Sequence, residues 1–332
     1  MKLFQKIFPY WAYKILELEK RLPDSARLQD LIGKSLDTIS DVSKNTGGIA
    51  TTGQALSTPN NATKDIEMTA RPVHIPTDTN ILKHKHEKFQ EVLTDIKCGN
   101  SPMLIGPAGS GKSTLLEQVA CELQLPYYAM SVNEQTSEYN IIGYNNANGQ
   151  YVGTAFRDAF EFGGIFSFEE IDAANPNVFT VINNAMSQGN YLFPDRKFIT
   201  KHPDFHMVAS ANTFGSGASL QYIGRNRMDG ATIDRFSYVY TDYDEYLEQQ
   251  LCTVPEWCDY VHQIRKYVRE FNMPIIVSTR AIVSGANLLN ANMTVDDVCK
   301  KLIWRGLPQS DIDKIKGGIE SKYISALAQH IK

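Results

Sequence analysis

Apolar positions recur at helical spacing from the start of the chain. Trp11, Ile15, Leu18 and Leu22 form one stripe, and after Pro23 a second runs through Leu28, Ile32, Leu36, Ile39 and Val42. The pattern predicts an N-terminal helical segment over 1–43. Acidic residues are mixed with the basic ones, which favours packing on protein over a membrane anchor. Residues 44–63 are small and polar, and a flexible linker is expected over 44–70, with the folded part beginning near Arg71. From there short apolar runs alternate with helical patterns. A helix leads up to Lys97. An apolar run covers 103–105, a helix-like stretch 113–125, and a second strand 127–132 after Pro126. Further apolar strands are expected at 165–168 and 206–210. Helical spacing returns at 257–271, 280–290 and 311–331. His84 and His86 lie two apart, so they do not share a helix face. They are read as part of a solvated helix surface, not as a metal pair.

The strand and helix around residue 110 frame the strongest chemical signal. Gly106, Pro107, Ala108, Gly109, Ser110, Gly111, Lys112, Ser113 and Thr114 carry the spacing G-x-x-x-x-G-K-[ST] of a phosphate-binding loop. Glycines let the backbone turn tightly, so that N–H groups and a helix N-terminus converge on one polyphosphate. Lys112 is expected to reach the β- and γ-phosphates, and the Ser113 hydroxyl to hold Mg²⁺. ATP with Mg²⁺ is the predicted ligand. The strand at 165–168 ends in Glu169 and Glu170. Adjacent carboxylates there suit a metal-side acid, Glu169, and a water-activating base, Glu170. Asn212 follows the strand at 206–210, where a polar side chain points into the ligand crevice and can orient the attacking water. Arg235, in Asp-Arg-Phe, and Arg280, in Ser-Thr-Arg, are candidates for stabilising charge on a transferring phosphoryl group.

Composition narrows the setting. A length of 332 residues exceeds what one core usually serves, so two folded parts are expected. The net charge of −4 argues against a general electrostatic grip on nucleic acid, although a local basic patch is compatible with it. No apolar stretch reaches the length of a membrane span, and the first residues are broken by charges. The 5 cysteines are widely spaced with no C-x-x-C pair, which points to free thiols and a cytoplasmic setting.

These residues together resemble an AAA+ ATPase from about Arg71 onward. The order is the phosphate loop, Glu169 and Glu170, Asn212 as sensor 1, Asp234-Arg235-Phe236, and Arg280 as sensor 2. The chain is similar to the MoxR-like, dynein-related branch, and within it to the cobalt chelatase ATPase subunit and its relatives, including those of phages. Phe-Glu-Glu-Ile-Asp-Ala-Ala-Asn-Pro ending at Pro176, Ala-Asn-Thr-Phe-Gly ending at Gly215, and Ala-Thr-Ile-Asp-Arg-Phe ending at Phe236 carry the likeness. It departs at Glu169, where the family usually has Asp.

The resemblance implies an α/β fold: a P-loop AAA+ parallel-sheet domain over 71–242, followed by a C-terminal helical lid over 243–332. It also implies a homo-oligomeric ring, usually a hexamer, with Arg235 acting in trans on a neighbour's ATP. Arg225 and Arg227, in a glycine-bounded loop, compete for that role. An insertion near 141–153 and a hairpin near 189–200 are implied to face a pore or partner. The expected function is ATP hydrolysis that remodels a protein partner, one with a VWA domain being the candidate. The alternatives are a nucleic-acid motor, hinted at by Arg196, Lys197 and Lys201, and an assembly switch with little turnover.

Overall fold

A computed structural model of the chain describes residues 82–218 and 221–330, all within one compact unit. The predicted N-terminal helical segment and the linker lie outside the described residues. In chain order the elements are α1 (Phe89–Lys97), β1 (Pro102–Ile105), α2 (Lys112–Leu123), β2 (Tyr127–Ser131), α3 (Glu138–Ile142), β3 (Tyr144–Asn145), β4 (Tyr151–Val152), α4 (Ala155–Phe162) and β5 (Gly164–Glu169). Then come α5 (Thr180–Gln188), β6 (Asn190–Leu192), β7 (Phe198–Thr200), β8 (Phe205–Ala211), α6 (Gly230–Ile233) and β9 (Ser237–Tyr240). The chain continues through α7 (Glu245–Leu251), α8 (Pro255–Glu270), α9 (Thr279–Asn290), α10 (Val295–Leu302), α11 (Gln309–Gly318) and α12 (Ser321–His330).

The central sheet has 5 strands in the order β2-β5-β8-β1-β9, and every pairing within it is parallel. Its inner strands are buried on both faces, as their nearly continuous apolar sequence requires. One face carries a cluster rich in phenylalanine, in which Phe156 meets Phe166 and Phe205 edge-on at 5.3 and 5.9 Å. The other face packs Leu104, Ile165, Val208 and Val239 against Val92 and Ile96 of α1 and Leu116 and Val119 of α2. The carboxyl ends of β1, β5 and β8 therefore come together at one edge of a rigid sheet. Among the described residues no helix is long and apolar enough to cross a membrane.

Residues 245–330 form a second, all-helical cluster around Trp257, Val261, Ile264, Ile282, Val298 and Ile315. The Trp257 indole N–H donates to the carbonyls of Ala281 and Ile282, so its polar edge is satisfied in the core. The helical pattern at 311–331 is not one helix. Gly318 ends α11 against the Tyr267 ring, and Ile319 is extended and buried before α12 starts. Residues 82–88, including His84 and His86, are a turn ahead of α1 and not a helix surface.

Candidate functional site

The phosphate loop is shaped by two close approaches. A Cβ on Gly106 would sit 1.9 Å from the Thr241 carbonyl oxygen, and one on Gly109 would sit 2.7 Å from Ser278 Cβ. Gly109 also has φ 77°, a conformation that side chains resist. The loop feeds directly into α2, whose first residues, Lys112 to Thr114, line the cleft. The Ser110 hydroxyl is buried there with no hydrogen-bond partner among the described residues.

Lys112, the first residue of α2, is buried. Its Nζ donates to Gly106 O (2.8 Å), Pro107 O (2.9 Å) and Asn212 Oδ1 (3.0 Å). Burial lowers its pKa to about 8, against the pull of Asp172, Glu169 and Glu170. Asn212, at the end of β8, is thus coupled to the loop by its side chain.

The two adjacent glutamates have different surroundings. Glu169, the last residue of β5, accepts from Ser113 Oγ (2.5 Å), Ser210 Oγ (2.8 Å), Ser167 Oγ (2.9 Å) and Tyr127 OH (3.2 Å). Burial and the Glu169 charge push the Tyr127 phenol far up, so it remains a donor. Glu170 turns the chain with φ 58°, and its side chain is 58% exposed. Strain of this kind in a non-glycine residue concentrates at functional sites. Both Arg225 nitrogens, Nη1 at 3.1 Å and Nη2 at 3.0 Å, donate to Glu170 Oε2.

Asp172 is fully buried beneath them. Its Oδ2 accepts from Asn212 N (3.1 Å), Thr213 N (2.9 Å) and Thr213 Oγ1 (2.9 Å), while Oδ1 lies 3.5 Å from Arg225 Nη1. This carboxylate ties the turn after β5 to the end of β8. Sequence reasoning placed Asp172 within a matching stretch and gave it no role. The available signal was an acid amid Ile171, Ala173 and Ala174, where a surface charge is out of place.

Ala108 to Thr114, Glu169, Glu170, Asn212 and Arg280 line one cavity of about 580 Å³. Arg280, near the start of α9, faces it from the helical part. Arg235 lies off the cavity and donates to Ala231 O and to Ser187 Oγ. Arg225, expected as one candidate to face a neighbouring subunit, is engaged by Glu170 and Asp172 of its own chain. Arg227 is exposed, in an isolated bridge with Ser216.

His84 and His86 also line the cavity; His84 is exposed, as expected, but His86 is buried, contrary to the solvated surface expected from the spacing. His86 is 4% exposed. Its Nε2 donates to Asp242 O (3.0 Å) and its Nδ1 accepts from Lys88 N (3.1 Å). Two tyrosines went unread in the sequence: Ala108 N donates to Tyr222 OH, and Tyr243 OH donates to Ala108 O, each at 2.9 Å.

Residues 101–236 match the AAA domain of the dynein-related subfamily. The aerobic cobaltochelatase subunit CobS of Sinorhizobium sp is 33% identical over 150 residues, covering 42% of this chain and 45% of that protein. The chain therefore spans less than half the length of that relative. An uncharacterized protein of Staphylococcus saprophyticus is 22% identical over 262 residues, covering 74% of this chain and 96% of its own. A RuvB mutant of Thermotoga maritima is similar at a TM-score of 0.44 and 15% identity, covering 64% of this chain and 67% of that one. The match to an AAA domain of the dynein-related subfamily thus spans the phosphate loop, the Glu169–Glu170 turn and Asn212, and ends at Phe236.

Proposed function

We propose that this chain binds ATP with Mg²⁺ in the 580 Å³ cavity, hydrolyses it as a member of a homo-oligomeric ring, and uses the cycle to remodel a protein partner. The observation that carries the reading is the convergence on one cavity of the phosphate loop, the hydroxyl and carboxylate pair of Ser113 and Glu169, and Glu170. The loop fits a polyphosphate. Gly106 and Gly109 let its backbone fold tightly against Thr241 and Ser278, and the buried Ser110 hydroxyl has no hydrogen-bond partner among the described residues. Ser113 and Glu169 offer the oxygen donors a hard divalent cation takes, and they would hold Mg²⁺. When bound, Mg²⁺ neutralises charge on the β- and γ-phosphates.

The chain's own groups divide the remaining work. The backbone N–H groups of Gly109 and Gly111, with those of the first turn of α2 through Thr114, cradle the phosphates, while Gly106 and Ala108 donate theirs to Ala211 O and Tyr222 OH and shape the loop from Gly106 to Ser110. Lys112 exchanges its loop carbonyls for phosphate oxygens. Asn212 orients the water. Glu170 takes a proton from that water through Oε1, which carries no bond to a described residue, while both Arg225 bonds stay on Oε2. The water oxygen bonds to the γ-phosphorus, the bond to the β–γ bridging oxygen breaks, and ADP and phosphate leave. Arg280 reaches the phosphates from the lid, here taken as 243–332 beside a sheet domain at 71–242. Arg235, away from its own cavity, serves a neighbour's.

The hairpins favour a protein partner over a nucleic acid. Leu192 and Phe198 face each other across β6 and β7 and are 59% and 66% exposed. Apolar side chains at a hairpin suit a polypeptide better than a phosphate backbone. A VWA-domain protein is the partner class that the resemblance implies.

The ring model is tested by mixing inactive Arg235→Ala subunits with inactive Glu170→Gln subunits. Regained hydrolysis is expected, because one mixed interface pairs an intact Glu170 with an intact Arg235. No recovery in a demonstrated co-assembly contradicts the trans role. Hydrolysis stimulated by DNA and not by a VWA-domain protein would shift the reading to a nucleic-acid motor.

A further inference from the structure

The wall of the cavity at Arg280 rests on a buried ionic cluster that the proposed reaction does not use. Glu248, on α7, is 0% exposed. Arg265 of α8 donates to both of its carboxylate oxygens at 2.7 Å, and His262 Nε2 lies 2.8 Å from Oε2. Thr279 Oγ1, at the first residue of α9, donates to Oε1 at 2.6 Å. Arg265 Nε also donates to the Val277 carbonyl at 2.9 Å. One carboxylate therefore gathers two helices and the segment that opens a third. Burial opposes its ionisation, but the bonds from His262, Arg265 and Thr279 outweigh that and lower its pKa to about 2.

The cluster faces the phosphate loop along two routes. Thr279 immediately precedes Arg280, and Ser278 is the residue against which Gly109 packs. Arg265 lies over the Tyr243 ring at 4.0 Å from its centroid, and Tyr243 OH donates to Ala108 O at 2.9 Å. A buried ion pair is weak evidence for stability, since apolar residues of similar volume often serve as well. What an apolar substitute cannot do is fix the rotation and register of 277–280 through directed bonds.

We propose that Glu248 is a positioning residue, whose buried carboxylate holds Val277 to Thr279 in place and thereby aims Arg280 at the terminal phosphate of a bound nucleotide. The inference rests on the reading of Arg280 as a phosphate contact, and the two are separable by experiment. ATP and ADP affinities are measured by displacement of a fluorescent nucleotide from the full chain in wild type, Arg280→Ala, Glu248→Gln and the double variant. A charge-assisted contact to the terminal phosphate is worth roughly tenfold or more in the ratio of ATP to ADP affinity. Arg280→Ala and Glu248→Gln should each lose that preference, and the double variant should lose no more than Arg280→Ala alone.

A merely structural Glu248 would lower the melting temperature and leave the ratio unchanged in folded protein, which overturns the inference. Losses that multiply in the double variant also overturn it. Arg280→Ala with a wild-type ratio removes the reading of Arg280, and this inference with it. If Glu248→Gln does not fold, Thr279→Val deletes a single bond to the carboxylate and carries the same expectation with a smaller loss. An unchanged ratio there overturns the proposal as well.

Discussion

Raising the pH from 7 to 9 is expected to weaken ATP binding about tenfold, because of Lys112. Its ammonium is buried against the carbonyls of Gly106 and Pro107 and the Asn212 amide oxygen. Burial lowers its pKa to about 8, below the usual 10.5, against the pull of Asp172, Glu169 and Glu170. A polyphosphate adds negative charge in direct contact with this ammonium, so binding restores the cation. At pH 7 nearly all of the free protein already holds the proton. At pH 9 about nine-tenths does not, and replacing it costs about 1.4 kcal/mol, a factor of ten. At pH 8 roughly half a proton should be taken up per ATP bound. Calorimetric titration at pH 8 in two buffers of different ionisation enthalpy counts that proton directly. Lys112→Arg, which keeps its charge throughout this range, should lose the slope. The same shift acts on folding. The unfolded chain keeps the proton to the ordinary 10.5 while the folded one releases it near 8, so this group's contribution to stability rises with pH between those values. Equal affinity at pH 7 and 9 with no proton uptake would mean that Lys112 does not gain a proton when ATP binds.

Asp172→Ala strands the N–H groups of Asn212 and Thr213, the Thr213 hydroxyl and one side of Arg225. It should cost about 3–5 kcal/mol in chemical denaturation, and a loss below about 1 kcal/mol would contradict a structural role for the carboxylate. Glu169→Ala should raise the Mg²⁺ concentration needed for half-maximal hydrolysis, whereas Glu169→Asp should leave activity intact or higher. An unchanged Mg²⁺ requirement in Glu169→Ala would make the acid structural only.

Features written locally in the chain were legible before the structure. Gly106, Gly109 and Gly111 dictate a loop, the apolar run before Glu169 dictates a central strand, and each needs only its neighbours. Asn212 follows from its place at the carboxyl end of a central strand, whereas Arg280 is reached only through the resemblance to AAA+ ATPases, since an arginine taken alone reads as a surface charge. Partnerships across long separations were not legible. Arg225 meets Glu170 from 55 residues away, and Arg265 meets Glu248 only because α7 and α8 fold over α9. His86 was misread for a related reason. Periodicity alone cannot distinguish a helix surface from a short turn pinned under Asp242. The break at Ile319 depends on Gly318 packing against Tyr267, a contact that helical spacing does not register.

The central claim, that Glu170 activates water for hydrolysis of ATP held in this cavity, is tested most directly by phosphate release from Mg-ATP in Glu170→Gln beside wild type, with nucleotide affinity measured on the same samples. Wild-type protein should hydrolyse ATP, the variant should lose about 10²–10⁴-fold, and ATP affinity should be near-equal in both. Undiminished phosphate release from Glu170→Gln, or none from assembled wild-type protein supplied with a partner, would contradict it.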